Sequence, residues 1–135
     1  MKEDCIFCKI VEGISPCYKI YEDEWTLAFL DISRDTYGHT LVVPKSHCKN
    51  VLDCSDDILA KVMNTVKKVS THYVKKCGFK GVNILNASGE EAQQSVNHLH
   101  YHILPRMSKE EFDAFPKLNG TVVPFELQQE TLKLN

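Results

Sequence analysis

Residues 98–104 read His-Leu-His-Tyr-His-Ile-Leu, alternating imidazole with apolar side chains and holding three of the chain's six histidines. Extended backbone sends successive side chains to opposite faces, so this run predicts a strand with His98, His100 and His102 on one side. Leu99, Tyr101, Ile103 and Leu104 supply the apolar surface that buries the strand. Clustered imidazoles repel one another when protonated, which disfavours charge at neutral pH and leaves ligating or nucleophilic nitrogens. Chance placement on a surface is the bland alternative. An extended stretch seldom sets three histidines on one face without chemistry or a metal behind them.

The strand needs partners, and the sequence offers them. Residues 18–22 and 26–31 read as two strands joined by the polar pair Asp23-Glu24, residues 39–44 as a third and residues 81–85 as a fourth. Residues 5–12 place Ile6, Phe7, Ile10 and Val11 at helical spacing, closed by Gly13 and Pro16. The clearest helix covers residues 56–77, with Ile58, Leu59, Val62, Met63, Val66, Val69, Tyr73, Val74 and Cys77 marking one apolar face. Ser55 caps it, Asp56 and Asp57 fill its first turn, and Lys75, Lys76 and Gly78 close it. A polar loop spans residues 86–97, and residues 108–135 read as a short helix plus a tail. The expected fold is α+β: a mainly antiparallel sheet with one long helix and a short N-terminal helix.

A chain of 135 residues is expected to form one domain, residues 1–135, burying about two-thirds of its unfolded surface. A net charge of −2 gives no electrostatic footprint for nucleic acid or an anionic membrane. No apolar leader follows Met1-Lys2-Glu3-Asp4, and no apolar run is long enough to span a bilayer. The six cysteines (5, 8, 17, 48, 54 and 77) are not framed as in a small secreted scaffold. Reduced thiols and a cytoplasmic location are the expectation.

Three chemistries compete for the histidine run: a catalytic zinc site, phosphoryl or nucleotidyl transfer with one imidazole as nucleophile, and a metal-storage or structural module. The upstream segment 86–97 carries no carboxylate next to the triad, whereas catalytic zinc histidines usually lean on one. Gln94 and Ser95 stand just before the run as donors to an anionic oxygen or a leaving group. Phosphoryl chemistry is favoured.

The pattern His98-x-His100-x-His102, preceded by Gln94-Ser95-Val96, resembles the signature of the histidine triad (HIT) family of nucleotide hydrolases and transferases. The resemblance extends through Cys5-Ile6-Phe7-Cys8-Lys9-Ile10, Leu27-Ala28-Phe29-Leu30-Asp31-Ile32 and the segment from Gly38 to His47, in the family's order, over residues 5–106. The lead-in is closest to the Hint-like branch of bacterial and protozoan type. Departures are a loop before His98 one residue longer than is usual there, Leu30 in place of a histidine some animal members carry, and an unlike tail over 121–135.

The resemblance implies His100 as the nucleophile that forms a nucleotidyl-imidazole, His102 as a donor to the phosphate, and His39 as a fourth histidine of the site. A neutral imidazole suits the first role, being both a competent nucleophile and a good leaving group. It implies Asp31 on the ribose hydroxyls, Ile6, Phe7, Ile10, Phe29 and Ile32 around the base, and Asn86, Gln94 and Ser95 at the phosphate and leaving group. Without it, His39 and Asp31 read as a semi-buried imidazole and a strand-end aspartate. Ser95 is expected to relay a proton to a departing amine.

Cys5-x-x-Cys8 alone is a weak signal. With His47 and His98 it makes two thiolates and two imidazoles, a closed tetrahedral zinc set, and bacterial members of the family carry a structural zinc at these positions. The expected function is hydrolysis of nucleoside 5′-phosphoramidates or related purine nucleoside monophosphate derivatives, in a homodimer. The alternatives are a dinucleoside polyphosphate hydrolase and a nucleotide-binding regulatory protein with incidental activity.

Overall fold

The computed structural model describes residues 2–135. Helix α1 (Ile6–Val11) is followed by strands β1 (Lys19–Glu22), β2 (Thr26–Leu30) and β3 (Thr40–Pro44), the long helix α2 (Asp56–Lys75), strands β4 (Gly81–Leu85) and β5 (Tyr101–Arg106), and helix α3 (Phe125–Leu132). The strands form one sheet in the order β1-β2-β3-β5-β4, and each neighbouring pair is antiparallel. The expected α+β architecture is therefore the observed one. Among the described residues, no helix is long and apolar enough to cross a membrane.

Alternation along the central strands sorts the core into two layers. Ala28, Val42, Leu99 and Ile103 point to α2 and pack on Val62, Val66, Val69 and Tyr73. Leu27, Phe29, Leu41 and Val43 point the other way, to Cys5, Phe7 and Cys8 at the start of α1. Val62 and Val66 are fully buried, each contributing about 1.5–3 kcal/mol. The apolar stripe expected on α2 is rotated slightly. Met63 and Val74 are 43% and 38% exposed, while Thr65 and Ser70 take buried places. Thr65 enters because its hydroxyl meets that of Thr26 at 2.6 Å, satisfying two buried polar groups at once.

Ser55 caps α2 as expected, its hydroxyl accepting from the Ile58 amide. The tail differs from expectation: residues 109–124 hold no helix, and α3 lies near the end, with no buried residue. The 86–97 loop is not featureless either, containing a 3-10 turn over Glu90–Ala92 that ends on Gln93 at φ 69°.

The largest boundary correction concerns the histidine run. Regular pairing starts only at Tyr101, so His98 and His100 lie in irregular chain just before β5 and only His102 is within it. The facing nevertheless survives. Leu99 and Ile103 are buried under α2, while Phe7, on the opposite layer, stacks edge-on against His98 and His100 with ring centroids 5.9 and 5.1 Å away.

Candidate functional site

Two clusters sit side by side on the α1 face of the sheet. The first joins the N-terminus of α1 to the ends of β3 and the pre-β5 segment. Cys5 Sγ and Cys8 Sγ approach His98 Nδ1 at 3.4 and 3.5 Å, Cys8 Sγ approaches His47 Nδ1 at 3.3 Å, and the two imidazole nitrogens are 3.2 Å apart. A tetrahedral ion with ordinary zinc bond lengths would require N–N edges of about 3.3 Å and N–S edges of about 3.6 Å. The donor set matches in number, chemistry and spacing, so these four residues could hold a metal ion. His98 Nε2 donates to the Pro44 carbonyl at 2.9 Å, which leaves the Nδ1 lone pair for the cluster. Cys5 also caps α1, its sulfur accepting from the Cys8 amide.

Burial sets the charge of these groups. It carries the His98 pKa down to about 4 despite the Pro44 carbonyl, and it lowers His47 as well. Burial also raises the Cys8 thiol; a cation at the centre would invert that preference and hold the thiolate.

The second cluster lines a cleft of about 700 Å³ between α1, β2 and the segment preceding β5, a size suited to a small organic ligand. Nine residues singled out from the sequence line it: Ile6, Phe7, Ile10, Phe29, Asp31, Ile32, Ser95, His100 and His102. Leu41 and Val96 line it too, although the sequence singled out neither as a site residue. Ile32 is 83% exposed and so forms an open lip rather than a wall.

His100 is only 5% exposed, and its Nδ1 donates to the His98 carbonyl at 2.8 Å. Its Nε2 is thus the nitrogen free to react. Burial lowers the His100 pKa from the ordinary 6.5, outweighing the His98 carbonyl and the Asp31 charge, which raise it. The neighbouring His102 is pushed down to about 4, by burial first and by the His100 and His39 charges second. Mutual repulsion, the cause expected from the sequence, is therefore secondary to desolvation.

His39 stands behind His102 rather than on the cleft wall. Its Nε2 meets His102 Nδ1 at 2.8 Å, and its Nδ1 meets Asp35 Oδ1 at 2.7 Å. A carboxylate, an imidazole and a second imidazole form a chain that ends at the cleft. Asp35 was missed in the sequence, although its position four residues before His39 is a usable hint. Asp31 Oδ1 accepts from the Ser33 amide at 2.8 Å, and its Oδ2 lies 3.7 Å from His39 Nε2. Gly38 makes the approach of this strand possible. It holds φ 79°, and a Cβ there would meet Pro105 Cγ at 2.9 Å.

Asn86 and Gln94 do not line the cleft. Asn86 Nδ2 donates to the His100 carbonyl at 3.0 Å, so its contact is with the backbone that carries His100. Gln94 is consumed by the loop itself. Its Nε2 donates to the carbonyls of Lys49 and Val96, and its Oε1 accepts from Asn50 and the Gly89 amide.

Comparison with known proteins agrees with this geometry. The HIT domain profile matches residues 12–109. The protein hit of Bacillus subtilis is 49% identical over 107 residues, covering 79% of this chain and 74% of that one. The adenosine 5′-monophosphoramidase of Schizosaccharomyces pombe is 43% identical over 106 residues, covering 78% of this chain and 77% of that one. Among solved structures, a zinc-bound histidine triad family protein from Mycobacterium smegmatis superposes with a TM-score of 0.76 at 35% identity, over 82% of this chain and 81% of that one. Taken with the triad, its cleft and the sheet that presents them, these matches place the chain in the HIT-domain family.

Proposed function

We propose that the protein hydrolyses purine nucleoside 5′-phosphoramidates or closely related nucleoside monophosphate derivatives through a covalent nucleotidyl-His100. The observation that carries this reading is the hydrogen bond from His100 Nδ1 to the His98 carbonyl. It commits one ring nitrogen and leaves Nε2 as a neutral nucleophile on the wall of an apolar cleft. The phosphoramidase name of the fission yeast relative supports the substrate class.

In this reading Phe7, Phe29, Ile6, Ile10 and Ile32 enclose the base, and Asp31 accepts from the ribose hydroxyls. His100 Nε2 attacks phosphorus, the P–N bond to the amine breaks, and the amine takes up a proton. Ser95, exposed on the cleft wall, passes that proton from solvent to the leaving nitrogen. Water then attacks the nucleotidyl-imidazolium, releasing the monophosphate and regenerating His100. His39 bridges Asp35 and His102 Nδ1, which holds the His102 ring with its Nε2 toward the phosphate oxygens.

Cys5, Cys8, His47 and His98 hold a structural zinc in this proposal, supported by their spacing and by the zinc-bound neighbour. The ion would pin α1, and with it Phe7, to the sheet; with four protein donors it has no open position for chemistry. A homodimer is proposed as well. Strand β4 ends the sheet and carries Ile84 at 43% exposure, an edge that a second copy would cover. Helix α2 is the weaker candidate for that contact, since its apolar face is spent on the sheet.

Turnover of adenosine phosphoramidate, a dinucleoside polyphosphate and an acyl or sulfo adenylate, compared side by side, tests the substrate class. The phosphoramidate is expected to have the highest kcat/KM. Preference for the dinucleoside polyphosphate would move the chain to the runner-up activity.

A further inference from the structure

Beside the four-ligand cluster stands a second trio of metal-binding atoms. Asp31, His39 and His102 each offer one ligand atom, and these atoms all lie within 4.8 Å of one another. His39 Nε2 is 2.8 Å from His102 Nδ1 and 3.7 Å from Asp31 Oδ2. Around an ion with bonds near 2.1 Å, neighbouring donors sit about 3.0–3.4 Å apart. The two imidazoles would have to part by a few tenths of an ångström and the carboxylate to close by as much. Side-chain rotation at Asp31, which is partly exposed, supplies the second movement.

A further contact marks this trio as more than a chance grouping. His39 Nδ1 meets Asp35 Oδ1 at 2.7 Å, so a carboxylate fixes the ring and directs Nε2 toward the other two donors. Two imidazoles and one carboxylate suit first-row divalent transition ions rather than magnesium or calcium, which prefer all-oxygen shells. The remaining candidates carry less. Cys48 and Cys54 are neighbouring thiols, but burial pushes the Cys48 pKa above the reactive range. The exposed apolar residues of α3 have nothing in the structure to show what covers them.

The geometry points to Asp31, His39 and His102 as a binding site for a divalent transition-metal ion just behind the cleft wall, where the ion competes with the nucleotide for Asp31. The ion takes the place of the proton that His39 Nε2 shares with His102 Nδ1, and that proton leaves to solvent. Competition rests on the nucleotide reading of the cleft, because the Asp31 carboxylate cannot serve the ribose while it ligates metal, whereas His102 would ligate through Nδ1 and keep Nε2 for the phosphate. Metal binding itself does not rest on it.

Cobalt(II) titration of protein whose Cys5-Cys8-His47-His98 cluster already holds zinc separates the two claims. A second equivalent is expected to bind with a d–d spectrum and no thiolate charge-transfer band, which distinguishes it from exchange into the cysteine cluster. Asp31→Asn and His102→Asn should each weaken that second equivalent by about 100-fold, and Asp35→Asn by about 10–100-fold, with the zinc retained as proof of folding. His72→Ala, at an exposed histidine, should leave it unchanged. Absence of the second equivalent, or its survival in Asp31→Asn and His102→Asn, overturns the site. Adenosine 5′-monophosphate should displace the second cobalt; an ion that stays bound at saturating nucleotide overturns the competition alone.

Discussion

His100 Nδ1 donates to the carbonyl of His98 at 2.8 Å, while the His98 ring belongs to the four-ligand cluster. One short stretch of backbone therefore ties the candidate nucleophile to the candidate metal centre. Phe7 reinforces the tie by touching both rings edge-on. Removing the proposed ion should disturb His100 as well as loosen α1.

Cys8→Ser tests that coupling. The zinc proposed at this cluster should be lost, measured by elemental analysis, and stability should fall by about 2–4 kcal/mol, near 10 °C in Tm for a domain of this size. Chelator treatment of the unaltered protein should reproduce both changes and reduce kcat. Full activity and unchanged Tm in the zinc-free variant would uncouple the cluster from the cleft.

Asn86→Ala removes the donor that holds the His100 carbonyl. A small shift of the nucleophile is enough to cost about 10–100-fold in kcat, while KM should change little because Asn86 does not line the cleft. A rise in KM at constant kcat would assign Asn86 to ligand contact instead.

Ser95→Ala addresses the leaving group. An amine must gain a proton as it departs, whereas a phenolate or phosphate needs none. The variant should slow phosphoramidate turnover about 10²-fold or more and barely affect a nucleoside phosphate ester of a good leaving group. Equal slowing on both substrates would reduce Ser95 to a structural residue.

Asp23 anchors the turn between β1 and β2. Its carboxylate accepts from the amides of Trp25 and Thr26 at 2.8 Å each, and from the Thr26 and Tyr21 hydroxyls at 3.0 Å each. Burial pulls its pKa upward, and the hydrogen bonds outweigh this to leave it below the ordinary 3.8. A depressed carboxylate stabilises the fold above its unfolded pKa, and that contribution is lost as pH falls through the folded value. Asp23→Ala should cost about 1.5–3 kcal/mol at pH 7 in chemical denaturation. The difference from the parent should shrink below pH 3.8; a constant difference down to pH 2 would contradict the assignment.

What the sequence revealed and what it hid follow from range. Alternation over 98–104 and the Cys5-x-x-Cys8 spacing are local, and both survive in the structure even though His98 and His100 precede the strand. The apolar residues lining the cleft are also recoverable, because Phe7 and Phe29 belong to elements with clear patterning. Polar partnerships across the fold are not. Thr65 faces the core because Thr26 awaits it 39 residues away, and no count of apolar positions would place it there. Gln94 and Asn86 look like free donors in one dimension, yet the folded loop has already engaged their side-chain amides. Asp35 gained its meaning only when His39 was seen to bridge it to His102.

The stereochemical course at phosphorus tests the covalent His100 route most directly. A substrate with a phosphorus-chiral adenosine 5′-phosphorothioate group and an amine leaving group would be hydrolysed in isotopically labelled water. Two in-line displacements, first by His100 and then by water, each invert the centre, so overall retention is the expected result. His100→Ala should at the same time lose about 10⁴-fold or more in kcat while still binding adenosine 5′-monophosphate. Net inversion would mean direct attack by water and would contradict the account.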